Sequence, residues 1–296
     1  MSSQGPLNVL VFGKTGSGKS TIINHLTNDN PHLPEGESLD SCTKDIQTAS
    51  IVHKGREMTF FDTPGFDDSI RTPHEYLKKL IEDLGFLYDL KFEKKPHIHG
   101  VLWMHPIHER KMTGSDRLNL DIFKDILGSD GFSNLVFVTN FWSPSLPAHQ
   151  LRNEKNLIGG GEYFAEAIAA GARAGPSYRI FEGTDRLSVQ RALLDAFVDS
   201  KPKVMQAQSE FVNGGGTADK TTAAKTLIKK TNEQLAERDA KIAALEAAVN
   251  EKTRKDMETL KTSYADALER LRDRVPSWLG PVLGGVMSVL TGLAKR

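Results

Sequence analysis

Residues Gly13 to Ser20 read Gly-Lys-Thr-Gly-Ser-Gly-Lys-Ser and lie directly between an apolar strand-like run, Leu7–Phe12, and a helix-patterned segment, Lys19–Leu26. The spacing G-x-x-x-x-G-K-[ST] in a strand–loop–helix setting is that of a phosphate-binding loop. Its glycines let the backbone curl until successive N–H groups converge on one point. The helix that follows adds the positive end of its dipole there. Gly13, Lys14, Thr15, Gly16, Ser17, Gly18, Lys19, Ser20 and Thr21 are therefore predicted to line a polyphosphate. Lys19 bridges its β- and γ-oxygens, and the Ser20 hydroxyl ligates Mg²⁺. A strand that feeds a helix in this way belongs to a parallel α/β sheet, so the loop constrains the fold as well as the ligand.

The rest of the chain agrees. Up to about Ser200, strand-like runs at Leu7–Phe12, Ile46–His53, Met58–Asp62, His99–Met104, Leu135–Thr139 and Tyr178–Phe181 alternate with helix-like segments at Lys19–Leu26, Pro73–Leu90, Ser115–Leu127, Tyr163–Ala170 and Ser188–Lys201. The expected architecture is the three-layer α/β fold of P-loop NTPases, with a mostly parallel central sheet and a long C-terminal helix. The domains read as 1–205, the nucleotide-binding domain; 206–218, a flexible linker around Gly214, Gly215 and Gly216; 219–275, a long helix or weak coiled coil; and 276–296, an apolar tail. The helix has two readings, folding back on the first domain or self-association. The tail also has two, a bilayer-surface anchor between Trp278 and Lys295 or a capping helix on protein.

Charge and cysteine content narrow the partners. The 38 basic and 38 acidic residues cancel, so no global field steers the chain toward nucleic acid. One cysteine, Cys42, excludes an internal disulfide and fits a reducing compartment. No secretory signal pattern is evident at the N-terminus. The expected location is cytoplasmic, free or held at a membrane by the tail. Of His97, His99, His105 and His108, three bracket or lie on one expected strand with spacing that scatters them across its faces and ends, which argues against a metal cluster.

A second motif, Asp62-Thr63-Pro64-Gly65, ends the third predicted strand. Asp62 is placed to hold Mg²⁺ through water, and the Gly65 N–H to meet a γ-phosphate. Between the motifs, Thr43 in Ser41-Cys42-Thr43-Lys44 is the residue predicted to ligate Mg²⁺ through its hydroxyl when the triphosphate is bound. The metal ligands are thus Ser20, Thr43 and Asp62, with Lys19, Thr43 and Gly65 acting in the reaction. Phe66 follows Gly65, where Ras-like GTPases carry a water-positioning glutamine. A phenyl ring cannot orient water, so intrinsic turnover is expected to be slow unless another group is supplied.

GKTGSGKST, SCTKDI and DTPGFDDS together resemble the septin-like branch of the TRAFAC GTPases. They are closest to the AIG-type, immunity-associated nucleotide-binding proteins and their fungal G domain-containing relatives. The resemblance covers about Leu7 to Ser200. It implies GTP/GDP and Mg²⁺ as ligands, a homodimer formed through the G domain, and frequent proximity to membranes. A guanine-reading element N/T-K-x-D is then expected after Leu135–Thr139, where the chain reads Thr139-Asn140-Phe141-Trp142. This reading puts Trp142 in place of the base-reading aspartate. Asn140 is expected to hydrogen-bond the base and Trp142 or Phe141 to stack on it, the alternative being that both aromatics only pack. Gly183, in the turn after the last strand, is the remaining base contact expected. A GTP-driven switch, a non-catalytic nucleotide-binding scaffold and an ATP-using relative with relaxed base specificity all stay open.

Overall fold

The computed structural model describes residues 5–35, 46–66, 72–88, 98–108, 112–161, 163–181, 187–247 and 254–272. The most apolar runs become the centre of a sheet. Strand β1 (Leu7–Gly13) is buried along its whole length, and β3 (Arg56–Asp62) and β4 (Ile98–Pro106) pair with it on either side, both parallel. Beyond them lie β5 (Leu135–Trp142) and β6 (Arg179–Phe181), also parallel, and at the opposite edge β2 (Gln47–His53). The order is β2-β3-β1-β4-β5-β6. Only β2 runs antiparallel, because Lys54 and Gly55, both at positive φ, turn the chain straight back into β3.

Both faces of the sheet are covered, as the buried parallel strands require. On one face, Leu7, Val9 and Val11 meet Ile22, Ile23 and Leu26 of α1 (Lys19–Leu26) and Leu193 and Phe197 of α6 (Leu187–Phe197). On the other, Phe12 and Trp103 stack against Phe123 of α3 (Gly114–Leu127), at 5.4 and 4.3 Å between ring centroids. The remaining helices are α2 (Pro73–Tyr88), α4 (Ala148–Gly159), α5 (Ala165–Ala169), α7 (Gln206–Asn213), α8 (Thr222–Ala247) and α9 (Arg254–Arg272). The three-layer α/β expectation holds, and each expected strand and helix of the first 200 residues is present.

Two helices were not expected. α4 is mostly polar, and only Gln150, Glu154 and Leu157 are buried on it. α7 stands where a linker was read: Ala207 and Gln208 are buried, and the Gln208 amide donates to the Leu84 carbonyl of α2 at 2.9 Å. Eight residues hold too few turns for a helical period to show. Of the long helix expected from Asp219, α8 and α9 are described, and 248–253 between them lie outside the described residues. The chain forms two compact units, 1–226 and 227–296. In the second, the described part of α9 leaves Leu260 and Tyr264 exposed. No helix among the described residues is long and apolar enough to cross a membrane, and the tail 276–296 lies outside them.

Candidate nucleotide site

Chain direction puts the site at the carboxyl end of β1. The strand order reverses there, with β3 on one side and β4 on the other, which opens a crevice outside the strand ends. Gly13 leaves β1 and the loop turns at Gly16 and Gly18, both in the left-handed region at φ 75° and 84°. Gly18 caps α1 without any side-chain hydrogen bond, so the first turn keeps its N–H groups for a ligand. Thr15 Oγ1 and Ser17 Oγ are buried and have no hydrogen-bond partner among the described residues. Orphaned polar atoms beside a helix N-terminus with no side-chain cap suit a polyphosphate.

Lys19 is buried, and its ammonium donates to the carbonyls of Gly13 at 3.2 Å and Lys14 at 3.1 Å. Burial pushes its pKa down to about 8, while the nearby Asp62 carboxylate works to raise it. The group is therefore a cation held over the loop at the cost of its own hydration, which a bound phosphate would offset.

Asp62 ends β3 fully buried, and the Ser20 hydroxyl donates to its Oδ2 at 2.5 Å. A carboxylate and a hydroxyl in contact beside a phosphate loop form a hard-oxygen donor pair that fits Mg²⁺, which keeps waters and shares phosphate oxygens rather than demanding an all-protein cage. Thr43 lies outside the described residues. The described chain resumes at residue 46, and Gln47 pairs with Asp62 in the sheet. Among the described residues no group of three His, Cys, Asp or Glu side chains could hold a metal. His99 instead accepts a hydrogen bond from the Asn8 N–H at 3.1 Å.

Gly65 touches the phosphate loop itself. A Cβ there would lie 2.3 Å from Thr15 Oγ1 and 2.5 Å from Thr15 N, so only glycine allows the approach. The next residue, Phe66, is buried among Phe12, Tyr76 and Trp103 at 6.2, 5.3 and 5.6 Å, and its N–H reaches the Gly13 carbonyl at 3.4 Å. The ring points into the core, and Tyr76 closes the same corner by donating to the Pro64 carbonyl at 2.9 Å.

Three flanking contacts were not read from the sequence. The Thr21 hydroxyl donates to Glu35 at 2.6 Å, and Asn24 clasps Leu33 through both ends of its amide. Lys14 pairs with Asp116 at 3.4 Å. Burial works to raise the Asp116 pKa, but hydrogen bonds from Thr113 and the Lys14 ammonium hold it below the usual carboxylate range. Thr113 and Asp116 form the capping box of α3, and their spacing, Thr-x-x-Asp, was a signal in the sequence. His105, close by, is pushed down to about 4 by burial, with Asp116 opposing and Lys14 and His108 assisting, and is neutral near pH 7.

The base end departs from the expectation. Asn140 faces the phosphate loop: its Nδ2 donates to the Ser17 carbonyl at 3.3 Å, and a Cβ on Gly18 would lie 2.6 Å from that nitrogen. Its Oδ1 accepts from the Phe141 N–H at 2.8 Å, so the amide braces two loops. Trp142 is fully buried; its Nε1 donates to Thr139 at 2.8 Å, and the Arg179 guanidinium covers the ring at 4.5 Å. That corrects the stacking role expected of Trp142, whose ring has no surface to offer a base. Gly183 lies outside the described residues.

Residues 8–109 match the family model described as 50S ribosome-binding GTPase. The chain is 30% identical over 144 residues to GTP-binding protein A of Dictyostelium discoideum, covering 49% of this chain and 30% of that protein. It is 32% identical over 101 residues to the septin homolog spn1 of Schizosaccharomyces pombe, covering 30% of this chain and 21% of that one. The matched stretches thus span less than a third of these relatives' lengths. The fold is similar to that of Toc33 from Arabidopsis thaliana, solved with Mg²⁺ and GMPPNP, at a TM-score of 0.51 and 15% identity over 68% of this chain and 88% of that one. Taken with the phosphate loop and the Ser20–Asp62 pair, these matches identify the N-terminal part of the chain as a GTPase G domain, with homologues among GTP-binding proteins and septins.

Proposed function

We propose that this chain binds GTP with Mg²⁺, hydrolyses it slowly to GDP and phosphate, and uses the bound state as a switch or homodimerisation signal. The observation that carries the reading is the Ser20 hydroxyl on the buried Asp62 carboxylate at 2.5 Å, beside the buried Lys19. A structural role alone does not explain a cation, a carboxylate and orphaned hydroxyls gathered at one helix N-terminus.

Each residue has a defined task. The α1 amides and Lys19 hold the phosphate chain and balance its charge. Ser20 and Asp62, joined by Thr43, would hold Mg²⁺, which neutralises charge on the β- and γ-oxygens when bound. Gly65 offers its N–H toward the terminal phosphate. Nothing amide-bearing follows it, because Phe66 is committed to the aromatic cluster, and this supports slow turnover. A second protomer is the proposed source of a missing group. The septin-like, AIG-type placement rests on the SCTKDI and DTPGFDDS segments and belongs to the same proposal.

Lys19→Ala removes the loop's central cation. In calorimetric titration with GTP and Mg²⁺, binding should fall by at least ~100-fold, in line with the loss of a buried charge-assisted contact. Affinity equal to that of the unaltered chain would reject the site.

A further inference from the structure

The stretch 139–147, Thr-Asn-Phe-Trp-Ser-Pro-Ser-Leu-Pro, contains no ionisable side chain. Its location follows from the phosphate geometry. In the nucleotide site proposed above, Asp62 and Gly65 would meet the terminal phosphate on the β3 side of β1, which leaves the base the other side, where β5 ends.

Most of the polar groups at the end of β5 are already engaged. Asn140 uses both ends of its amide on Ser17 and Phe141, and Trp142 donates to Thr139 from the core. The Ser143 N–H donates to Gln150 at 3.0 Å, and Gln150 returns a bond to the Phe141 carbonyl at 3.1 Å. These bonds hold Phe141 in the left-handed region at φ 63°, a conformation costly for an aromatic residue. Its half-buried ring meets His108 edge-on at 5.0 Å. The Ser143 hydroxyl, 3.0 Å from that of Ser145, completes the group.

Asn140 is the asparagine of this stretch and is braced on the phosphate loop through the Ser17 carbonyl. Counting N/T-K-x-D from Asn140 puts the fourth position on Ser143, and the burial of Trp142 agrees with that count. We infer that Ser143 sets base selectivity: this site holds a purine against the Phe141 ring and a serine hydroxyl, and accepts guanine and adenine nucleotides with similar affinity. The physical reason lies in the two base edges. A carboxylate accepts from both guanine N–H donors and faces the adenine ring nitrogen with like polarity. A hydroxyl both donates and accepts, so it meets either edge. This inference rests on the nucleotide site proposed above.

The test is displacement of a fluorescent GTP analogue from the full chain by GTP and by ATP, with Mg²⁺ present. The unaltered chain should show the two affinities within about tenfold, because no edge of the base is discriminated by charge. Ser143→Asp should widen the ratio in favour of GTP by ~100-fold, as two charge-assisted hydrogen bonds are gained on one base only. Phe141→Ala should weaken both nucleotides in proportion. An unaltered chain that prefers GTP by ~1000-fold would overturn the inference, as would a folded Ser143→Asp variant with an unchanged ratio. Binding of GTP alone defeats only this inference, whereas binding of neither nucleotide defeats the site as well.

Discussion

Lys19 shows how far one side chain can be followed from its position in the chain to a measurable quantity. Its ordinary pKa of 10.5 is lowered to about 8 by burial. Between those values the unfolded chain holds the proton and the folded chain does not, so stability of the nucleotide-free protein rises with pH across that window. Below pH 8 the buried cation costs on the order of 3 kcal/mol. A triphosphate on the same nitrogen favours the charged form, so GTP binding at pH 8 should take up about half a proton. Calorimetry in two buffers of different ionisation enthalpy measures this directly; identical heats would show that Lys19 does not meet the phosphates. Lys19, Ser20 and Asp62 were legible in the sequence because motif spacing alone determines which atoms converge. The burial of Trp142 was not legible for the opposite reason. The groups that enclose its ring include Arg179, remote in the sequence, and no local spacing encodes that contact.

At the level of elements, the aromatic cluster ties the segment after β3 to three others. Phe66 rests on Phe12 of β1, Trp103 of β4 and Tyr76 of α2. Phe66→Ala should therefore destabilise the fold by about 3 kcal/mol, the usual range for emptying a buried phenyl site. Urea unfolding followed by tryptophan fluorescence would read it, and a loss below ~0.5 kcal/mol, a surface-like value, would mean the ring bears no packing load. The sequence showed that Phe66 lacks an amide; it did not show that the ring anchors the segment. Strands and long helices were legible because apolar periodicity of 2 or 3.6 persists across them. α4 and α7 were not. α4 buries polar side chains through specific partners, such as Glu154 with Arg179 at 2.9 Å, and no hydrophobicity pattern encodes that choice.

For the molecule as a whole, the first compact unit contains every described nucleotide-site residue, and the second begins within α8. If a second protomer completes the reaction, hydrolysis per molecule should rise with protein concentration until dimers saturate. A specific activity constant over a hundredfold dilution, measured as released phosphate, would assign turnover to the monomer alone. The architecture was legible because alternating strands and helices leave few ways to cover a parallel sheet.

In the proposed site the Asn140 bridge would couple recognition at the two ends of the ligand. One amide joins the end of β5 to the turn of the phosphate loop, through the Phe141 N–H and the Ser17 carbonyl. Loss of a good fit to the base will loosen the grip on the phosphates, and mononucleotides and pyrophosphate will each report on a site that works as one lever.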